Sequence, residues 1–266
     1  MTYEQLNTLA VWQRMPTIDL DRIAAVRLMN RVDTKYLLDE ACCMRLFEMA
    51  AAQYYVQEID SCRACRYETL YYDTPQWEMY RLHHNRRLTR RKVRTRTYVE
   101  TGVSYLEVKH KSNKGRTHKH RIRIAGDIFA TAPHDAAAAD FLRGETPYAP
   151  ETLTPALTTR FVRVTLVNRA MTERLTLDFD LHFTNERGDG ATASMQGLVI
   201  VELKQDALAP SPMKDILAQL RVKPFKVSKY CVGEAMTNPQ VKHNRFKAKL
   251  RAIAKMSLNA NKTTTL

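Results

Sequence analysis

The chain has 266 residues, 44% hydrophobic, with 42 Lys and Arg against 28 Asp and Glu, a formal net charge of +14. It is long enough for one large domain or two small ones around a real core. A charge this basic excludes a neutral surface and points to polyanions: nucleic acid, an anionic membrane, or phosphate-rich small molecules. The opening "MTYEQLNTLAVWQ" has no basic stretch leading into an apolar one, and nowhere do eighteen apolar residues run together. A cytoplasmic protein without a secretion signal or membrane span is therefore expected. Of the five cysteines (Cys42, Cys43, Cys62, Cys65 and Cys231), only Cys62 and Cys65 have metal-like spacing, and a zinc site would need two more ligands. Reduced thiols without a function are the expectation.

Residues 3–28 read as helical, and "RVDTKYLLDE" as a strand that runs into a helix over "DEACCMRLFEMAAAQ". From Tyr67 onward the texture changes to alternating segments: "YETLYYD", "RKVRTRTYV", "SYLEVKHK", "KHRIRIA", "RFVRVTLVN", "ERLTLDFDLHF" and "LVIVELKQ". Turn signals such as "DTP", "TGVS", "SNKGR" and "RGDG" separate several of them. The Ala-rich "DAAAADFLRG" reads as a short helix, and "PMKDILAQLR" as another with Pro212 near its start. The sum is an α+β protein with about eight strands, mostly antiparallel, and several covering helices.

The alternation sorts the charges. Within "RRLTRRKVRTRTY", Lys92, Arg94, Arg96 and Tyr98 share one strand face, against Val93, Thr95, Thr97 and Val99. Likewise Glu107 and Lys109 oppose Leu106 and Val108; Asp178 and Asp180 oppose Leu177, Phe179 and Leu181; Glu202 and Lys204 oppose Val201 and Leu203. Two architectures fit. One is a half-buried sheet with its charges in water. The other is an eight-stranded antiparallel β-barrel forming a charged tunnel, with its apolar outside covered by helices. Paired types at i, i+2 lean toward the second, because they are what a polyphosphate with a divalent metal requires.

Arg grips phosphate through two-pronged charged hydrogen bonds, and Lys acts as a point charge. Mn²⁺ or Mg²⁺ takes carboxylate oxygens and bridges to phosphate. Phosphoryl transfer then needs placement and neutralisation more than a Ser/His/Asp set. No GxxxxGK[ST], GxGxxG or HExxH occurs, and eight glycines are few for nucleotide-cradling loops. His83, His84, His110, His118 and His120 lie in basic stretches and are expected to be exposed, without a catalytic role.

The segments "NRVDTKYLL", "TLYYDTP", "YRLHHNRR", "KVRTRTY", "YLEVKHKSNKGRTHKHRI", "LVIVELKQ" and "KVSKYCVG" occur in an order that resembles the VTC domain. That is the polyphosphate polymerase domain of the CYTH/triphosphate tunnel metalloenzyme superfamily. The resemblance runs from about Val26 to Gly233. It implies three parts: a helical segment over 1–25, a tunnel domain over 26–237, and a basic tail over 238–266. It also implies a tunnel that binds triphosphate or polyphosphate and transfers the γ-phosphate of a nucleoside triphosphate to a growing chain. By the same resemblance Lys35, Arg94, Arg96, Lys109, Arg163, Lys226 and Lys229 are the expected catalytic groups, and Lys119 and Arg121 a further basic pair. Glu202 resembles the metal-binding glutamate, with Lys204 beside it. Lys92 is a further expected phosphate contact, and Glu107, Asp178 and Asp180 are the other carboxylates open to metal. Two positions depart from the wider pattern: ExExK is replaced by Arg31, Asp33 and Lys35, which favours polymer chemistry over a cyclase or triphosphatase, and a Tyr-x-Arg becomes Phe161-x-Arg163.

Arg86, Arg87, Arg90 and Arg91 precede the alternation and are expected to charge a tunnel mouth. The tail carries seven Lys or Arg and no acid, +7 of the +14. It reads either as a frayed end or as a basic amphipathic helix that meets a membrane-protein partner or an anionic membrane surface. Hydrolysis of tripolyphosphate or polyphosphate, and non-catalytic binding of polyphosphate or inositol phosphate, are the alternatives to synthesis. Specific nucleic-acid binding is not expected, because Glu107, Asp178, Asp180 and Glu202 would repel a phosphate backbone.

Overall fold

Long alternating runs give long strands, and the chain spends most of them on one sheet. The computed structural model describes residues 1–24, 31–114, 116–125, 135–206 and 209–264. The tunnel-domain boundary at Val26 and Gly115 of the expected glycine turn lie outside these residues. The first elements are α1 (Tyr3–Asn7), a 3-10 turn at Ala10–Arg14, β1 (Thr17–Ile18) and α2 (Leu20–Ala24). The single helix expected over 3–28 is thus broken. Pro16 has no N–H to offer a helix and forces Met15 into extended backbone (φ −102°, ψ 120°).

There follow β2 (Arg31–Asp39), α3 (Glu40–Ala50), β3 (Tyr54–Gln57), β4 (Ala64–Asp73), α4 (Glu78–His84), β5 (Arg90–Tyr98), β6 (Val103–Lys111) and β7 (Thr117–Ile124). The remainder is α5 (Ala136–Glu145), β8 (Thr154–Asn168), β9 (Glu173–Asn185), β10 (Thr192–Ser194), β11 (Leu198–Asp206), α6 (Pro212–Gln219), α7 (Lys229–Thr237) and α8 (Lys247–Thr264). Side chains start the helices where the sequence places short polar residues. Asp39, Asp135, Ser211 and Ser228 each accept a first-turn backbone N–H.

Eight strands pair antiparallel in the order β2-β11-β9-β8-β4-β5-β6-β7, and these are the eight read from the sequence. The short β1, β3 and β10 pair off this path. Among the described residues no ladder joins β7 to β2, so the sheet is open and the expected closed barrel is not what the pairing makes. The sheet is nevertheless strongly curled. Lys109 on β6 feels the carboxylate of Glu202 on β11, five strands away in the order. In a flat sheet that is about 24 Å, beyond effective reach.

Two patches of the convex face are buried under helices. Leu46 and Phe47 of α3 and Ile216 and Leu217 of α6 pack on Leu175, Leu177, Val199 and Val201. Ala138 and Leu142 of α5 pack on Val93, Leu106 and Val108. The apolar face of each strand is therefore covered by helices, as the alternation requires. One end of the concave face is filled by α7 and α8: Tyr230 and Val232 of α7 and Ile253 of α8 cluster with Leu157, Phe183, Leu198 and Ile200. With Ile253 buried and Leu250 and Met256 packed in the same cluster, α8 spends its apolar face on the protein. The frayed tail is therefore not observed.

Gly233 marks how closely α7 approaches the sheet. A Cβ there would lie 2.5 Å from Leu157 Cδ2 and 2.7 Å from Phe183 Cδ1. Gly233→Ala should lower stability by a net of about 1–2 kcal/mol, overpacking outweighing the gain in helix propensity. Urea unfolding would read this, and an unchanged midpoint would contradict the close packing.

Candidate active site

The concave face carries the charges that alternation put opposite the core. Cross-strand register aligns them in rows. Lys92, Lys109 and Lys119 are neighbours across β5, β6 and β7, as are Arg94, Glu107 and Arg121. On the other half Lys35 lies opposite Glu202, and Arg163 opposite Asp178.

Three carboxylates here are each held between two cations. Glu107, 1% exposed, accepts from Arg94 Nε at 2.8 Å and Nη2 at 2.5 Å, and from Lys119 Nζ at 3.0 Å. Asp178, 2% exposed, accepts from Arg163 Nε at 2.6 Å and Nη2 at 2.9 Å, and from Lys229 Nζ. Glu202 pairs with Lys35 at 2.9 Å and with Lys204. Burial would push these carboxyls up, but the flanking cations outweigh it and hold all three well below the carboxylate range.

The remaining cations have no carboxylate. Among the described residues Lys92, Arg96, Lys109 and Arg121 make no ion pair. Lys92 Nζ donates to Ser228 Oγ at 2.7 Å, buried Arg96 donates to Thr69 Oγ1 at 3.1 Å, and Arg121 lies 4.2 Å over the Tyr105 ring. Desolvation lowers Lys109 to about 8, helped by Arg94, Lys35 and Lys92 against the pull of Glu202. Lys229 falls to about 8 by desolvation, with Arg163 and Lys35 adding to it and Asp178 opposing. Burial would push the Tyr71 phenol up, yet Arg94, Lys92, Arg96 and Lys229 together bring it down to about 7. A site that strips protons from its lysines and phenol lacks negative charge, and an anion supplies it.

Of the expected site residues, the concave face brings together Lys35, Lys92, Arg94, Arg96, Glu107, Lys109, Lys119, Arg121, Arg163, Asp178, Glu202, Lys204 and Lys229. Asp180 is not among them. A bulge shifts the β8–β9 register between Arg160 and Val162, and Asp180 sits in left-handed backbone (φ 48°), exposed and bonded to His182 at 2.8 Å. The alternation therefore breaks at that residue. Phe179 packs in the convex core and Leu181 in the concave one, so the shared face read for Asp178 and Asp180 is corrected. Lys226 is exposed, outside the paired groups. The side chain of Arg31 lies outside the described residues. His84 is buried against Phe246, ring centroids 5.3 Å apart, where an exposed residue was expected. His83 is half-buried and held neutral, down to about 2, by burial and by Lys92, Arg90, Lys249 and Lys111. The five cysteines are free, and Cys62 Sγ meets Tyr3 OH at 3.1 Å.

Sequence reasoning missed three contributors. Tyr71 accepts from Arg94 Nη1 at 3.3 Å, and the Tyr67–Phe161 stack (5.3 Å) lies under Arg163, Arg96 and Lys229. Alternation in "YETLYYD" already placed Tyr67 and Tyr71 on one face, so they were readable. Ser228, cap of α7 and partner of Lys92, carried only a weak signal in "KVSKYC".

Among the described residues no three of His, Cys, Asp and Glu come together, and Glu107, Asp178 and Glu202 are each shared by two cations. Removing one carboxylate tests how the arrangement is balanced. Glu107→Gln leaves Arg94 and Lys119 uncompensated and should cost about 3 kcal/mol at neutral pH. Glu107 is depressed in the fold, so its contribution is full above the ordinary value of 4.5 and is lost as pH falls toward the folded value. Urea titrations of both proteins should therefore converge below pH 4.5, and a pH-independent gap would contradict the pairing.

Comparison with known proteins adds the family. Among solved structures the fold is similar to a candidate adenylyl cyclase from Hippeastrum described with a dominant triphosphatase activity, at 14% identity and a TM-score of 0.48, covering 80% of this chain and 100% of that one. It is also similar to a candidate adenylate cyclase from Vibrio parahaemolyticus, at 14% identity and a TM-score of 0.46, covering 77% and 99%. PH1819 from Pyrococcus horikoshii OT3 matches at 14% identity and a TM-score of 0.44, covering 77% and 98%. No curated protein matches the chain. No helix among the described residues is long and apolar enough to cross a membrane. The VTC domain model matches residues 30–238, most of the chain including the whole charged face. With that match and a curled antiparallel sheet of paired and unpaired cations, the chain belongs to the VTC domain family, whose fold is the triphosphate-tunnel (CYTH-like) fold.

Proposed function

We propose that the protein is a phosphotransferase that polymerises the γ-phosphate of a nucleoside triphosphate into inorganic polyphosphate along this concave face. The curled sheet serves as the tunnel wall, with its seam between β7 and β2. The carrying observation is the surplus of cations: three carboxylates are neutralised twice over, and among the described residues Lys92, Arg96, Lys109 and Arg121 make no ion pair. A chain of phosphates is a ligand that supplies such charge at regular short intervals.

The chemistry asks little more. A terminal phosphate oxygen of the chain attacks and bonds to the γ-phosphorus, the bond from that phosphorus to the β–γ bridging oxygen breaks, and the nucleoside diphosphate leaves with the bridging oxygen. The acceptor is already anionic, so no general base is required. Charge spreads over the transferring oxygens, and Arg94, Arg96, Arg163 and Lys109 surround that position from β5, β6 and β8. Mn²⁺ or Mg²⁺ belongs to this reading as the counter-ion of the nucleotide's phosphates, with Glu202 the carboxylate that would reach it from the sheet. A nucleoside triphosphate donor implies the cytoplasm.

Purified protein with ATP and Mn²⁺ should yield a polyphosphate ladder and ADP in step. Phosphate release without a ladder would favour hydrolysis, and neither product would leave only a binding protein. Lys109 makes no ion pair among the described residues, so Lys109→Ala should keep its unfolding midpoint while turnover falls by about 10²-fold. Full turnover in that variant would sink the role given to Lys109.

The lysines also fix a pH dependence. Lys109 and Lys229, lowered to about 8, return toward their ordinary 10.5 when an anion binds, so binding takes up protons. Tripolyphosphate affinity should be level below pH 7 and fall above pH 8. Calorimetry in buffers of different ionisation enthalpy should detect net proton uptake near pH 8. Net release there would contradict the assignment.

A further inference from the structure

Outside the concave face lies a second group of cations, and it differs from the first in making no ion pair with an acid among the described residues. Arg90 on β5 is directly opposite Lys111 on β6, a like-charge cross-strand pair that costs stability unless something else compensates it. Arg90 also shares its strand face with Lys92 of the concave site, two residues on. Lys92 donates to Ser228, which stands two residues after exposed Lys226. Phe246 packs on His83 and His84, with centroids 6.4 and 5.3 Å apart, and thereby fixes the start of α8 beside the end of α4. Lys249 lies in α8, and Arg86 follows α4 two residues after its last turn. The charges press on one another: burial, Arg90 and Lys226 lower Lys111, and burial, Arg86 and Lys226 lower Lys249. The His83 imidazole feels Lys92 together with Arg90, Lys249 and Lys111, so the group is continuous with the concave site. None of Arg86, Arg90, Lys111, Lys226 and Lys249 makes an ion pair among the described residues.

We infer that Arg86, Arg90, Lys111, Lys226 and Lys249 form a rim that binds the polyphosphate chain where it lies outside the concave site, between β5, β6, α4 and α8. This rests on the polyphosphate reading above. Arg90, Lys111 and Lys249 are half-buried, a recess that a thin flexible polyanion enters and a flat bilayer does not. Leu250, Ile253 and Met256 of α8 are already used by the core, and of its large apolar side chains Leu258 is left exposed, a small anchor for a membrane contact.

The test is the triple variant Arg86→Gln/Lys111→Gln/Lys249→Gln, which leaves every concave-face residue in place. Binding of long-chain polyphosphate and of tripolyphosphate is titrated over a salt series. Long-chain affinity should fall about tenfold or more at low salt, with a salt slope reduced by about two. Tripolyphosphate affinity and the KM for ATP should stay within about twofold, since short ligands do not reach the rim. The charge-preserving Lys111→Arg/Lys249→Arg variant should bind like the wild type, which separates lost charge from damaged folding. Unchanged long-chain affinity overturns the rim, and so does an equal loss for tripolyphosphate. Loss of binding to phosphatidylserine vesicles alone, with polyphosphate unaffected, overturns it in favour of a membrane. A wild type that binds both phosphates without turnover would defeat the polymerase reading and leave the rim standing.

Discussion

Every feature of the concave face depends on one electrostatic arrangement: a buried carboxylate held between two cations. Glu107, Asp178 and Glu202 each occupy that position; Arg94, Arg163, Lys204 and Lys229 beside them are largely withdrawn from water, while Lys35 and Lys119 keep part of their surface in it. An isolated ion in such surroundings costs several kcal/mol, more than a domain can absorb many times over. Two cations per acid go beyond neutrality, so the arrangement both permits burial and leaves the site positive. Structure and ligand preference thus have the same source.

The same triads help to define the curl of the sheet. Asp178 on β9 takes Lys229, and Lys92 on β5 takes Ser228, so consecutive residues at the start of α7 touch strands three places apart. The rest of α7 is anchored by an independent buried set. Asp73 accepts from Tyr230 OH at 2.5 Å and from the backbone N–H groups of Met79 and Tyr80 at 2.9 Å, tying α4 and α7 to the end of β4. Arg187 closes the same corner by donating to the carbonyls of Asp73, Thr74 and Pro155. One end of the concave face is therefore a packed plug, and the charged rows of both halves of the sheet lie beyond it.

Charge is distributed over the molecule in two regimes. Where acids accompany the cations, the residues are ordered by pairs and oriented toward a fixed position. Where acids are missing, at the rim by α4 and α8, the cations repel one another and no pair sets their geometry. Fixed geometry suits a reacting phosphate, and a loose cationic recess suits a chain that only has to be held. The Tyr67–Phe161 stack shows how aromatic faces can stand in for acids: Arg163, Arg96 and Lys229 all lie within 5.8 Å of one of its rings.

How much was legible differs from residue to residue. Period-two alternation decided the faces of β5, β6 and β11 without any structure, because in a strand the side-chain direction follows from position alone. It therefore identified Arg94, Arg96, Glu107, Lys109 and Glu202 as a common stock, and Tyr71 was there to be read as well. It failed at Asp180, where one left-handed residue inserts into the ladder and reverses the faces, and at residues 3–28, where Pro16 outweighs helical periodicity. What the sequence determined by itself was thus which side chains travel together along each strand. Which face is concave, that the sheet curls without closing, and which acid lies between which two cations were decided by tertiary structure alone. Those properties arise from packing between elements distant in the chain, and no local period encodes it.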